Sequence, residues 1–168
     1  FLRFMDKFFE LFPEDRDNDI FLAGESYAGQ YIPYVATRIT RYNELEVPLS
    51  NEKKPYNLKG LLIGNGWIDP QEQSLAYLPY SIQAGVISKD TDGFHDILKQ
   101  HEECQKLVNS IAGGEIDANN VNNLLNSKCE KILNMILYAS MKNDAPDNQR
   151  CVNMYDHTLR DSYPSCGM

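Results

Sequence analysis

The stretch Phe21-Leu22-Ala23-Gly24-Glu25-Ser26-Tyr27-Ala28-Gly29-Gln30-Tyr31-Ile32-Pro33 constrains the rest of the chain more than any other. Its centre, Gly24 to Gly29, reads as a nucleophile elbow of the G-x-S-x-G kind. In such an elbow a serine sits on a sharp turn between a strand and a helix, and glycines two before and two after it let the chain double back. The flanks agree. Asp19 to Ala23 is a short, largely apolar run with the character of a buried parallel strand. From Tyr27 to Tyr42, apolar side chains recur at Tyr31, Ile32, Val35, Ala36 and Ile39, a helical stripe that carries Pro33 near its start. A serine hydroxyl is a weak nucleophile at neutral pH, so the turn has chemical value only where a base reaches Ser26.

Leu58 to Ile63 is a second apolar run, expected to be a central strand. Strand, helix, strand makes a parallel crossover that sets Ser26 at the carboxyl edge of the strands. Gly64-Asn65-Gly66 ends the second strand at that edge, where it either shapes the mouth of a site or serves only to turn the chain. Ahead of the elbow, Phe1, Leu2, Phe4, Met5, Phe8, Phe9, Leu11 and Phe12 lie opposite Lys7 and Glu10. This is an amphipathic helix whose aromatic stripe is expected to pack on the sheet. Residues 43–57 read as a polar surface loop. After Gln71 the periodicity turns helical. One helix runs through Leu75, Leu78, Tyr80 and Ile82 with an interruption at Pro79, a second runs through Phe94, Ile97, His101, Cys104 and Val108, and a third spans Val121 to Leu137. Residues 1–70 are thus a parallel-sheet core, and 71–168 are mostly a helical insertion within the same domain.

A formal net charge of -8 argues against nucleic acid, which needs basic patches, and is compatible with basic substrates. No run approaches the roughly 20 apolar residues of a membrane span. The chain opens without methionine or signal peptide, partway into an amphipathic helix, and stops just after a cysteine; it is expected to be an internal piece of a larger protein. Four cysteines without a C-x-x-C pair, and three histidines not spaced near them, give no zinc pattern, so neither metal nor cofactor is expected.

Gly24 to Pro33 resembles the active-serine segment of the serine carboxypeptidases. Leu62-Ile63-Gly64-Asn65-Gly66-Trp67-Ile68-Asp69-Pro70 resembles the strand and loop that follow it in that family. Cys151 to Asp156 and Ser162 to Met168 resemble a third landmark, so the likeness runs essentially end to end. The resemblance implies an α/β-hydrolase fold, with the elbow in its parallel-sheet core and a helical cap. It implies Ser26 as nucleophile, with the main-chain N–H of Tyr27 as one oxyanion donor. It also implies that Glu25 helps bind the free C-terminal carboxylate of a peptide or propeptide. Two carboxylates share a hydrogen bond only when one is protonated, which suits a mildly acidic compartment. Within the family the likeness is to the branch that trims C-terminal lysine and arginine from precursors in the yeast Golgi. It therefore implies the secretory pathway, in the trans-Golgi or vacuole lumen.

His95, His101 and His157 are not in the glycine-x-histidine-x-x-proline setting of the family's base, nor are Asp69 and Asp156 in its acid segment; the acid and base are expected outside this chain. The family's compartment implies disulfides among Cys104, Cys129, Cys151 and Cys166, for which three connectivities exist. Cys104 with Cys129, on successive helices, and Cys151 with Cys166, across a short turn at Pro164, are favoured; the rival is a bridge to a cysteine elsewhere. An esterase or acyltransferase on the same scaffold, or a non-catalytic binding protein that kept the elbow, are the alternatives left open.

Overall fold

The stripe at the start of the chain forms helix α1, Leu2–Leu11, in the computed structural model, which describes residues 1–143 and 149–167. Only part of the stripe is used as expected. Phe9 is buried and Leu2, Met5 and Phe8 pack with it, whereas Phe4 and Leu11 stay 65% and 76% exposed. Strand β1, Ile20–Glu25, leads through the turn at Ser26 and Tyr27 into helix α2, Ala28–Arg41, and strand β2, Leu58–Gly64, returns parallel to β1. The register pairs Leu22 with Leu61 and Glu25 with Gly64, so the two strands end level. Ile20, Leu22, Val35 and Leu58 join Phe9, Ile39, Tyr42 and Tyr56 in one core. Along β1 half-buried and exposed residues alternate instead of the uniform burial expected, because within this unit the core lies against one face of the two strands.

These elements make up the first of two units, Phe1–Ile68; the second is Asp69–Met168. The second unit starts with a local signal. The Asp69 carboxylate accepts the N–H groups of Gln71 and Glu72 at 3.0 and 3.3 Å, and Pro70 follows as first residue of helix α3, Pro70–Gln83. Helix α4, Phe94–Ala112, packs Ile97, Cys104 and Val108 into a core with Leu78, Leu125, Ile132 and Ile136.

The single helix expected from Val121 to Leu137 is two: α5, Ala118–Lys128, and α6, Lys131–Ala139. The N–H groups of Cys129 and Glu130 both donate to the Leu125 carbonyl, closing α5, and the Cys129 carbonyl accepts from Ile132 as α6 begins. The break falls at the residue bonded to Cys104 on α4. Strands β3, Lys142–Asn143, β4, Gln149–Val152, and β5, Arg160–Ser162, then form an antiparallel sheet in the order β3-β4-β5. Ser140 ties this sheet to α6: its hydroxyl donates to Leu137 O at 2.7 Å and accepts Val152 N–H at 3.0 Å. Cys151, on β4, is joined to Cys166, and both are buried with Leu137.

Candidate active site

Ser26 follows the last residue of β1 with φ 57, in the left-handed region, and its side chain is exposed. An L-residue holds this conformation only where its surroundings dictate it. Here they do so through the main chain. The Ser26 N–H donates to Gly64 O at 3.0 Å, and the Ser26 carbonyl accepts from Gly29 at 3.0 Å and from Trp67 at 2.8 Å. The residue two after the serine is Ala28, where a strict G-x-S-x-G pattern has its second glycine; the glycine stands one place further, at 29. Ala28 is fully buried, and Gly24 makes room for it, since a Cβ on Gly24 would lie 2.5 Å from that of Ala28. Gly29 serves a different contact: a Cβ there would meet the Trp67 main-chain N and O at 2.8 Å.

Gly29→Ala should therefore separate the elbow from the Trp67 loop. Overpacking against rigid main chain costs about 1–3 kcal/mol, which outweighs the roughly 1 kcal/mol that alanine gains over glycine in a helix. A thermal midpoint at or above wild type in the complete protein would refute this.

Tyr27 caps the N-terminus of α2, and its N–H has no protein acceptor among the described residues. It lies directly after Ser26, at the positive end of a helix, where negative charge is favoured. Its ring contacts that of Tyr31 at 6.3 Å. Glu25 is exposed at the end of β1, next to Ser26 in sequence. Asn65, the first residue past β2, is also left-handed, with φ 44. Gln30 and Trp67, which sequence reasoning did not single out, complete the surroundings: the Gln30 amide donates to Trp67 O at 2.7 Å and to Ile68 O at 3.0 Å.

The histidines and the two landmark aspartates lie in the second unit. Asp69 is the cap of α3, and Asp156 accepts the Thr158 hydroxyl and N–H, bonds that hold its carboxyl below the usual range. His95 and His101 are on α4. The His101 Nδ1 is buried without a partner, and burial lowers the pKa of the ring. His157 Nδ1 lies 3.1 Å from the Tyr80 hydroxyl. All four cysteines are in disulfides, Cys104–Cys129 and Cys151–Cys166. Among the described residues no three His, Cys, Asp or Glu side chains are grouped as a metal site, and no helix is long and apolar enough to cross a membrane.

A serine in a left-handed turn between a parallel strand and a helix, level with the end of the neighbouring strand, is the strand–turn–helix elbow of an α/β-hydrolase fold, of which this chain is a part. Residues 1–165 match the description of the serine carboxypeptidases, and the chain belongs to that family. It is 58% identical to the pheromone-processing carboxypeptidase KEX1 of Debaryomyces hansenii, over all of this chain and 24% of the relative's length. It is 54% identical to that of Clavispora lusitaniae, over all of this chain and 25% of the relative. The crystal structure of Kex1(delta)p, a prohormone-processing carboxypeptidase from Saccharomyces cerevisiae, superposes with a TM-score of 0.86 at 41% identity, covering 99% of this chain and 33% of that one. The chain thus spans about a quarter of the length of the curated relatives it matches.

Proposed function

We propose that the protein containing this chain is a serine-type carboxypeptidase that removes C-terminal residues, basic ones foremost, from peptides and propeptides in the lumen of the secretory pathway. The observation that carries this reading is Ser26, held left-handed at the carboxyl tip of β1 in a chain that matches the family from residue 1 to residue 165. The relatives' pheromone- and prohormone-processing names support propeptides as the substrate class. Two disulfides suit an oxidising lumen, and a net charge of -8 suits basic peptides.

The chemistry assigns each residue one task. A histidine from the remainder of the protein takes the Ser26 proton as Oγ bonds to the scissile carbonyl carbon. The oxygen of that carbonyl gathers negative charge, which the Tyr27 N–H stabilises together with a second donor from outside this chain. Collapse breaks the carbon–nitrogen bond, and the histidine returns the proton to the departing amine. Water then opens the acyl-enzyme by the same steps in reverse. Glu25, when protonated, shares a hydrogen bond with the free carboxylate of the departing residue and so confines cleavage to chain ends.

Matched peptides ending in lysine or arginine, as free acids and as amides, test this with the complete protein at mildly acidic pH. Mass spectrometry should show loss of one terminal residue from the free acids and none from the amides. Equal cleavage of both forms, internal cleavage, or turnover confined to esters would overturn it.

A further inference from the structure

Gln30 stands four residues after the nucleophile, on the first turn of α2, and has no part in the chemistry above. Its half-buried amide spends both N–H bonds on one short segment: one goes to the carbonyl of Trp67 at 2.7 Å, the other to that of Ile68 at 3.0 Å. That same segment holds the nucleophile, because the Trp67 N–H donates to the Ser26 carbonyl at 2.8 Å while the Ser26 N–H donates to Gly64 at 3.0 Å. Gly29 lets the two backbones touch between these bonds.

Ser26, at φ 57, and Asn65, at φ 44, are both left-handed, a strained state for L-residues. The loop from Gly64 to Ile68 thus has to be fixed at both ends if Ser26 is to keep its direction. Its start is fixed by the strand register with β1. Its end is fixed by Gln30, 37 and 38 residues away in sequence from the carbonyls it binds.

We propose that Gln30 is a positioning residue for acyl transfer: by clamping the Trp67 and Ile68 carbonyls it fixes the loop whose N–H holds Ser26 in its attacking conformation. This rests on the serine-peptidase reading of Ser26. Without the two donors, the Trp67 carbonyl faces a side chain that cannot bond it, and the loop turns toward water to satisfy it. The Trp67–Ser26 bond loosens in consequence, and the direction of Oγ spreads. Acyl transfer is sensitive to displacements of this kind, of which about 1 Å costs on the order of a hundredfold in rate.

Three variants of the complete protein separate this from a merely structural role. Gln30→Met keeps the length and removes both donors, Gln30→Glu keeps the shape and offers only acceptors, and Gln30→Lys keeps donors for both carbonyls. The readouts are the rate at which a fluorophosphonate labels Ser26, kcat and KM on a C-terminal peptide, and the thermal midpoint.

Met and Glu should lower the labelling rate and kcat by roughly 10- to 100-fold, with KM within about threefold of wild type. Lys should recover the labelling rate to within about threefold of wild type. Wild-type labelling rates in Gln30→Met, or a Gln30→Lys as slow as Gln30→Met, overturn the proposal. If Gln30→Met does not fold, Gln30→Lys decides alone: fast labelling supports the clamp and slow labelling overturns it. A wild-type protein that takes no adduct on Ser26 overturns the serine-peptidase reading itself, whereas a wild-type adduct with unaffected Gln30 variants overturns the clamp alone.

Discussion

Ser26→Ala in the complete protein should lower peptide hydrolysis by about 10⁴- to 10⁶-fold, because nucleophile, base and acid act as a unit and removing one disables the rest. Folding should be nearly untouched. The Ser26 side chain is exposed, and the bonds that shape the turn are main-chain bonds, to Gly64, Gly29 and Trp67, which alanine keeps. A second variant sharpens the test. Ser26→Gly removes the same hydroxyl at a residue with φ 57. An L-residue in the left-handed region carries a steric cost of roughly 1–2 kcal/mol that glycine does not. Glycine loses more backbone freedom on folding, which offsets about 0.5–1 kcal/mol of that relief. Both variants should therefore be inactive, and Ser26→Gly should melt at or slightly above Ser26→Ala. Initial rates on a C-terminal peptide and a thermal melt measure the two quantities. Substantial turnover by either variant would remove Ser26 from the chemistry, and a Ser26→Gly that melts several degrees below Ser26→Ala would show that the turn is not strained.

What the sequence revealed follows the range of the interactions. The elbow was legible because strand, turn and helix are adjacent in the chain and each has its own periodicity. The parallel partner, Leu58–Gly64, was legible from its own apolar run, and the disulfide pairs present are the favoured ones.

Gln30 was not legible. It is an ordinary polar residue on a helix, and its partners are carbonyls that the fold brings within 3.0 Å from 37 and 38 residues away. Tyr56 went unseen for a related reason. It lies in a stretch that reads as polar loop, yet it is 2% exposed. Asn43 bonds its main chain on both sides, at 2.8 and 2.9 Å, its hydroxyl donates to Asp6, and Arg16 lies over its ring at 4.5 Å. Burial, and then the Asp6 carboxylate, push the phenol up to about 12. A lone aromatic among Lys53, Lys54, Pro55 and Asn57 has no period to announce it. The break between α5 and α6 escaped notice because an unbroken apolar stripe runs through it, while a covalent bond to α4 meets the chain there.

The two disulfides should behave differently when removed. Cys104 and Cys129 are fully buried within the large core of the second unit, among Ile97, Val108, Leu125, Ile132 and Ile136. The bridge closes a separation of 25 residues, for which chain entropy gives about 3–4 kcal/mol. Cys104→Ala with Cys129→Ala also leaves a void where the sulfurs were, and that void is felt by both α4 and α6. The loss should be global: the second unit melts earlier as a whole.

Cys151 and Cys166 close 15 residues, for which the same estimate is about 3 kcal/mol. Their setting is smaller, however. With Leu137 they are the buried members of a cluster flanked by Leu133, Met141 and Met154, so the two cysteines make up most of that core. Removing them takes away packing and cross-link together from strands of four and three residues, which cannot hold a sheet unaided. Cys151→Ala with Cys166→Ala should therefore unfold residues 149–167 locally while the α3 to α6 helices keep their cooperative melt. Hydrogen exchange by mass spectrometry on the complete protein distinguishes the two cases. The first variant should lose protection throughout the second unit and the second only beyond Ser140. Equal loss across the unit in both would show that the small sheet and the helices unfold as one.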